Sequence, residues 1–537
     1  MDPQPTEPYS SIRISHSGKI NSYVSHGLES LKRTESTRSY ITLIGEGKGV
    51  TKTISVAEII KRKVERIYQY NEIGNVDEDG VGTKSGMYMK IYLSLMPVKE
   101  LEMALGIINN ATRRHSGLDW NSTVTIIQLC WVCAIVFGEV LVFHMAAWNC
   151  GWPEISEWNT NTAKPFHMTI ITDPQLIDEN SYNRARVMTR LTEFYSDNYM
   201  RKNWKNLLHY FDSDAIMILG DLLDSGRELD DKRWSEEHIR FNNLFQMAGK
   251  SRVPVYYAVG NHDIGIGDTI VPAANKRFRD VYGKVNYELS LGNHTIVVLD
   301  TLSFGASDEI SKEAREFVKG FENRTDHTHS PRILMTHVPL FRGLATADCG
   351  PFRQRGNMIP YMYGYQYQTM MYPEPTETIL DSIKPVLTIS GDDHDFCEIY
   401  HEKGGSNGEG SFEVTVPTYS FTMGVRKPGF LLLSLYNPTN SSSSATFTYR
   451  LCFLPDQLQI FIFYGFLLSF TIITFLACAY YDMRTQTALP PLSKDIVANR
   501  IITSSSYWHL VRSGILRVGA YAISTYIFCL ILFPIAI

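Results

Sequence analysis

The sequence predicts a multi-unit α/β protein: a small α/β block first, then a larger α/β block enclosed by three apolar helices. Three observations lead there. Short β-branched runs recur between residues 169 and 390, and each is followed at once by Asp, Asn, Gln or His. Three apolar stretches reach the roughly 20 residues that a bilayer crossing takes. The leading residues carry a separate strand, glycine-loop and helix pattern rich in lysine. A chain of 537 residues is too long for one ordinary domain, and its net charge of −5 gives no global sign of a nucleic-acid partner.

In chain order, residues 1–10 are polar and expected to be disordered, and residues 11–100 form the first domain. Ser17–Leu31 places apolar residues at helical spacing, and Tyr40–Ile44 reads as a strand. Gly45–Val50 is a glycine-rich loop, Thr53–Tyr68 reads as a helix, and Met89–Leu95 reads as a further strand. Lys48, Lys52, Lys61, Arg62, Lys63 and Arg66 make the stretch basic. Such charges ordinarily form a solvated helix face, whereas a glycine loop bearing Lys48 and Lys52 also suits nucleic-acid phosphates. Residues 101–123 read as a linker.

The apolar spans are 124–148, 458–480 and 518–537, with the first acting as a signal anchor. Arg113 and Arg114 precede the first span, and Arg484, Lys494, Arg500 and Arg512 lie in the 481–517 loop. The positive-inside rule puts both segments in the cytosol and the 149–457 block in the lumen. Sequons at Asn293, Asn323 and Asn440 fall within that block as glycosylation sites, while Asn110 and Asn121 head sequons on the other side. Glu139 inside the first span is costly in lipid, so it marks either a functional group or a pairing residue, with His144 as candidate partner. Cys150, Cys349, Cys397 and Cys452 are luminal and free to pair, in a connectivity the sequence leaves open.

The chemistry lies in five clusters. Asp173-Pro174-Gln175 follows Thr169–Thr172, Gly220-Asp221 with Asp224 follows Ile216–Leu219, and Gly260-Asn261-His262-Asp263 follows Val255–Val259. His337 follows Ile333–Thr336, and Gly391-Asp392-Asp393-His394 follows Val386–Ser390. Alone, Asp-Pro-Gln and Gly-Asp-x-x-Asp are common turns and an isolated His is more often structural, while Gly-Asn-His-Asp after an apolar strand is more specific; loops leaving the carboxyl ends of neighbouring strands converge on one crevice. Five together suit two divalent metal ions sharing a carboxylate, the arrangement that hydrolyses phosphate esters. Asp221 suits the shared position. Asp173, Gln175 and His394 would complete one ion, and Asn261, His337 and Asp392 the other. His262 would stabilise charge on phosphorus or protonate the leaving oxygen. Only His337 and His394 supply nitrogen, and so oxygen-rich a set favours manganese over zinc.

This series resembles the calcineurin-like metallophosphoesterase superfamily, whose motifs are Asp-x-His, Gly-Asp-x-x-Asp, Gly-Asn-His-Asp/Glu, a later His, and Gly-His-x-His. Gln175 and Asp392 replace two of its histidines and keep oxygen ligands. Asp-Pro-Gln-Leu and Gly-Asp-Asp-His-Asp are similar to the fungal branch that remodels GPI anchors, as are Gly138-Glu139, Cys150-Gly151-Trp152-Pro153, Gly364–Gln368 and Val416–Gly424 with Lys427-Pro428-Gly429. The resemblance, over about residues 121–537, implies a four-layer α/β/β/α sandwich, a manganese-type dimetal centre, and removal of ethanolamine phosphate from a GPI mannose. Its substrate would be the GPI lipid or a GPI-anchored protein, at the endoplasmic reticulum or early Golgi membrane. The tyrosine- and arginine-rich loop from Cys349 to Tyr372 reads equally as a glycan-contacting lip or as a packed surface loop.

The first block, over about residues 11–97, resembles the Alba superfamily, which includes ribonuclease P and MRP subunits and contacts nucleic-acid phosphates through its glycine loop. The resemblance implies RNA contact. Two further readings stand beside the leading one: a phosphoesterase acting on another lipid-linked or protein phosphate, and a non-enzymatic membrane anchor displaying the Alba-like domain. The junction is either a genuine fusion or two adjacent coding sequences read as one.

Overall fold

The computed structural model describes residues 11–33, 40–64, 67–75, 87–95, 120–160, 163–246, 253–343, 348–405, 410–438, 445–487 and 504–535. The chain divides into two units, Met1–Trp120 and Asn121–Ile537.

In the first unit, strands β1 (Ser11–Ile14), β2 (Tyr40–Glu46), β3 (Tyr68–Asn75) and β4 (Met87–Ser94) form one sheet in the order β1-β2-β4-β3. Helices Ile20–Arg33 and Val50–Lys63 pack on one face, over a core of Ile41, Leu43, Val56, Ile60, Ile91 and Leu93. The expected Thr53–Tyr68 helix therefore ends five residues early. Val64 turns extended after Lys61, Arg62 and Lys63, whose charges favour a helix C-terminus, and Tyr68 instead pairs with Ser94.

In the second unit, two sheets face each other. One runs in the order β17-β16-β5-β6-β7: β5 is Phe166–Ile171, β6 Ala215–Leu219, β7 Val255–Ala258, β16 Gly429–Leu435 and β17 Phe447–Phe453. The other runs β14-β15-β13-β10-β9-β8: β8 is Tyr287–Leu291, β9 His294–Val298, β10 Arg332–Met335, β13 Leu387–Ser390, β14 Cys397–His401 and β15 Ser411–Thr415, while β11 (Tyr363–Gly364) and β12 (Tyr367–Gln368) form a separate hairpin. Met168, Ile170, Met217 and Leu431 meet Ile296, Ile333, Ile389 and Val414 between the sheets. Alternate residues such as Ile171, Ile218, Val297 and Leu334 turn outward onto helices. Strands covered on both faces read as continuous apolar runs, which is why the sequence exposed them. All five cluster-bearing strands are parallel within their sheets, but they belong to two sheets, so the crevice lies where two sets of strand ends face each other.

Among the described residues, three helices are long and apolar enough to cross a membrane: Trp120–Trp148, Gln457–Tyr481 and Tyr507–Leu530. The third helix starts at Ser504, well before the expected Val518. A π-turn at Phe137–Leu141 interrupts the first and carries Glu139. Glu139 pairs with buried Lys202 of the Arg186–Tyr210 helix and accepts from the Tyr464 hydroxyl at 3.1 Å. Glu139 thus does pair with another span, through Tyr464, while His144, the expected route, bonds Tyr210 at 3.1 Å. The disulfides are Cys150–Cys452 and Cys349–Cys397.

Candidate metal centre

The five loops do meet. Ligand atoms of Asp173, Asp221 and His337, all buried, lie within 4.8 Å of one another. His337 Nε2 is 3.1 Å from Asn261 Oδ1, 3.4 Å from Asp221 Oδ1 and 3.5 Å from Asp392 Oδ1. Asp173 Oδ1 is 3.9 Å from the Nε2 atoms of both His337 and His394. The Gln175 amide donates to Asp221 Oδ2 at 2.9 Å. Asp221 thus turns one oxygen toward His337 and the His262 amide and the other toward Gln175. All seven residues singled out as ligands belong to one cluster.

The backbone is bent to bring them there. Among the described residues, eight non-glycine residues have positive φ, and Asp173, Gln175, Asp221, Asp392 and His394 are five of them. Left-handed conformations in side-chain-bearing residues cost energy and gather at functional sites. Gly260 is needed for close approach, since a Cβ there would meet Asp221 Oδ1 at 2.1 Å.

Residues outside the ligand set fix the ligands. The buried Asp263 carboxylate accepts from the backbone amides of Gly260, Asp221 and Leu222 at 2.9, 3.0 and 3.0 Å, clamping two loops together. His337 Nδ1 is 2.7 Å from the Leu219 carbonyl, so it donates there and leaves Nε2 free for a cation. The Asn261 amide donates to the Gln366 carbonyl at 3.2 Å, aiming Oδ1 at the cluster, and Thr418 Oγ1 donates to the Asp173 carbonyl at 2.7 Å. Asp393 pairs with Arg353 at 2.6 Å, and Asp395 accepts from the amides of Gln354 and Arg355, so the Cys349 loop is tied to the last motif. Asp263, Asp393 and Asp395 stood inside or beside the motifs, but only geometry separates a loop clamp from a ligand. Gln366 fell within the Gly364–Gln368 segment already singled out by resemblance, but nothing there marked it as the support of Asn261.

The electrostatics fit a cation. Burial pushes Asp173 well above the usual carboxylate range and Asp263 up to about 7, in each case reinforced by Asp221. Asp221 resists burial and is held low by His337 and His262. Burial lowers His394 to about 3, leaving the neutral imidazole a metal takes. Asp173 Oδ1 and Gln175 Oε1 are buried acceptors without a hydrogen-bond partner. Leaving such atoms unsatisfied costs free energy that a divalent ion would relieve.

His262 differs from the seven. Its ring Nδ1 is bonded to the Asp224 carbonyl and lies 3.5 Å from that residue's Oδ1, with the side chain 27% exposed. The orientation suits contact with a substrate rather than with an ion.

The remaining sequence candidates are scattered. Lys48 is exposed in the glycine turn, whereas the Lys52 ammonium donates to the His16 and Gly18 carbonyls, bracing the β1 loop. Asn323 is exposed on a turn, and Asn293 is exposed with its amide donating to the Asn437 carbonyl at 2.9 Å. Asn440 lies outside the described residues, as do Arg113 and Arg114.

Residues 166–396 match the family model described as calcineurin-like phosphoesterase, and residues 10–76 match the Alba model. Cell division control protein 1 of Saccharomyces cerevisiae is 36% identical over 347 residues, covering 62% of this chain and 70% of that protein. Metallophosphoesterase 1 of Mus musculus is 24% identical over 389 residues, covering 68% and 90%. A yellow lupin purple acid phosphatase structure overlaps 55% of each chain at 13% identity and a TM-score of 0.34, too slight a likeness to add to these. The chain therefore belongs to the calcineurin-like metallophosphoesterase family, carries an N-terminal Alba domain, and is a metal-dependent phosphoesterase.

Proposed function

We propose that this enzyme is a membrane-anchored phosphodiesterase that removes ethanolamine phosphate from a mannose of GPI anchors in the early secretory pathway. The observation that carries the catalytic part is the cluster of buried Asp173, Gln175, Asp221, Asn261 and His337 with half-buried Asp392 and His394, and its unsatisfied acceptor oxygens. Two divalent ions, manganese by the oxygen-rich donor set, would supply Lewis acidity toward the phosphoryl group and a water of lowered pKa. Asp173, Gln175 and His394 would hold one, Asn261, His337 and Asp392 the other, with Asp221 between.

The protein's own groups do the rest. The His262 ring is anchored through Nδ1 and partly exposed, so its Nε2 would be the atom that protonates the departing sugar oxygen or holds a phosphoryl oxygen. Tyr361, Tyr363, Tyr365 and Tyr367 stand exposed on the Cys349–Tyr372 loop, and their faces suit stacking against sugar rings. Gln366 of the same loop supports Asn261, so a glycan seated there would touch a segment that positions a ligand. The three apolar helices support placement in a membrane, and the basic flanks support a luminal site with the Alba domain and any RNA contact in the cytosol.

The test is the GPI glycan profile of cells lacking the protein, with the purified full-length enzyme assayed on that glycan. Retained ethanolamine phosphate on one mannose, removed by added enzyme, is the expected result. An unchanged profile from cells lacking an enzyme that still cleaves an aryl phosphodiester would assign it another substrate.

A further inference from the structure

The Arg186–Tyr210 helix is apolar on two opposite sides. One side carries Tyr199, Met200, Trp204 and Leu207 into the core. The other side presents Val187, Met188, Leu191 and Phe194, which are 70%, 53%, 47% and 44% exposed. Their spacing of one, four and seven residues places them on one face over roughly 10 Å of helix. Tyr195 and Lys202 continue the same stripe. Their contacts are with the apolar helices: Tyr195 packs on Phe461 at 5.2 Å and on Tyr526 at 6.4 Å, and Lys202 pairs with Glu139. A single stripe thus begins bare and ends docked on three membrane-span candidates. Arg184, Arg186 and Arg190 border the bare part and, with Arg233 and the carboxylates of Glu179, Glu193 and Glu237, line an adjoining cleft of about 520 Å³, in which Arg186 lies 3.7 Å from Glu179.

We propose that the first half of this helix is an interfacial element seated in the bilayer that holds the spans. Val187, Met188, Leu191 and Phe194 would enter the acyl boundary, and Arg184, Arg186 and Arg190 would meet lipid phosphates. The occupant is the bilayer because the exposed apolar face is continuous with the residues that dock on the spans, the pattern of an amphipathic helix lying in an interface, with arginines interspersed among glutamates beside it. The helix is also coupled to the metal centre. The short segment from Gln175 to Arg186 is pinned to the Asp221–Ser225 loop, whose Asp224 carbonyl anchors the His262 ring, through Ser225 donating to Asp178 Oδ1 at 3.0 Å and Asp224 N donating to the Leu176 carbonyl at 3.1 Å. Seating the helix in lipid would therefore fix the catalytic mouth relative to the membrane surface and favour lipid-linked over soluble phosphodiesters. The inference rests on the reading that the three apolar helices cross a membrane.

The test places a photo-crosslinking benzophenone side chain at Leu191 or, separately, at Phe466 of the second apolar helix, in the full-length protein in its native membrane. Phe466 is 73% exposed on that helix. Lipid adducts at both positions are expected. Adducts at Phe466 but none at Leu191 would overturn the interfacial role alone, and a Leu191 crosslink to a second copy would assign the face to self-association. No adduct at Phe466 would remove the membrane reading, and this proposal with it. A Met188→Ser/Leu191→Ser/Phe194→Ser variant gives the kinetic readout. Cleavage of a soluble aryl phosphodiester should stay unchanged, while cleavage of a phosphodiester embedded in vesicles falls about tenfold as apolar anchoring is lost. An equal fall on both substrates would indicate a folding defect and overturn the proposal.

Discussion

Lys202 and Glu139 form an ion pair at the junction between the catalytic domain and the first apolar helix, with side chains only 7% and 4% exposed. Each is tolerable there because of the other. Removing one partner of a buried pair costs about 3–5 kcal/mol, whereas replacing both by apolar groups is often neutral. Glu139→Ala should therefore lower the melting temperature of the detergent-solubilised enzyme markedly, and Glu139→Leu/Lys202→Met should recover most of the loss. A double variant as unstable as the single one would mean that Glu139 acts through the Tyr464 hydroxyl instead.

Asp221→Asn should abolish hydrolysis, with kcat down by on the order of a thousandfold, as for loss of a major electrostatic group. Asp221 turns its two oxygens toward different neighbours, and an amide offers only one anionic-like acceptor. Circular dichroism should stay native, and bound metal per chain should fall. Activity within a few-fold of the parent at unchanged metal content would remove Asp221 from the shared position.

The donor set makes a distinct statement about metal preference. Five of the seven expected ligands offer oxygen, and oxygen-rich sites favour harder ions. Chelator-stripped enzyme should regain most activity with manganese and little with zinc. Recovery with zinc alone would show that His337 and His394 dominate the site.

Much of this site was legible because its strands are doubly buried. Ile216–Leu219 and Ile333–Met335 carry no polar residue, so the sequence shows where each strand ends and which cluster leaves it. Strand β3 was hidden for the opposite reason: Gln69, Asn71, Glu72 and Asn75 lack apolar periodicity, and Glu72 is satisfied by Tyr88, Lys90 and Tyr92 from the neighbouring strand. The partner of Glu139 was equally out of reach. His144 lies one helical turn away in the sequence, while Lys202 arrives from another helix, and only packing brings it there. The supports of the ligands follow the same rule: Gln366 reaches Asn261 across 105 positions, a contact that the resemblance of Gly364–Gln368 did not disclose.

A pH-dependent loss of stability should arise from His294, away from the metal centre. Burial lowers its imidazole to about 4, with backbone carbonyls only partly offsetting the effect. The unfolded chain holds the proton up to the ordinary histidine value near 6.5, so between the two values it binds more protons than the folded state. Stability contributed by the neutral ring is thus complete above about pH 6.5 and declines as pH falls, by about 2 kcal/mol at pH 5. His294→Phe should flatten the melting temperature between pH 7 and pH 5. An unchanged slope would place the acid sensitivity elsewhere.

The Alba domain and the phosphoesterase should prove separable. The N-terminal unit closes its own core from Ile12, Ile41, Val56 and Ile91, and all seven expected ligands lie in the other unit. Deleting residues 1–110 should leave kcat/KM on an aryl phosphodiester within about twofold, because no ligand or support of the metal centre is removed. Arg113 and Arg114 stay in the truncated chain to orient the first span. Residues 11–100 alone should fold and bind RNA weakly, with affinity falling as salt rises and falling further in Lys48→Ala. Lys52→Ala should act differently. Its ammonium braces the β1 loop, so this variant should lose stability as well as affinity. A single polypeptide of full mass in cells would establish the fusion. Loss of hydrolysis in a correctly inserted truncation would show that the Alba domain supports catalysis, and that the two halves work as one enzyme.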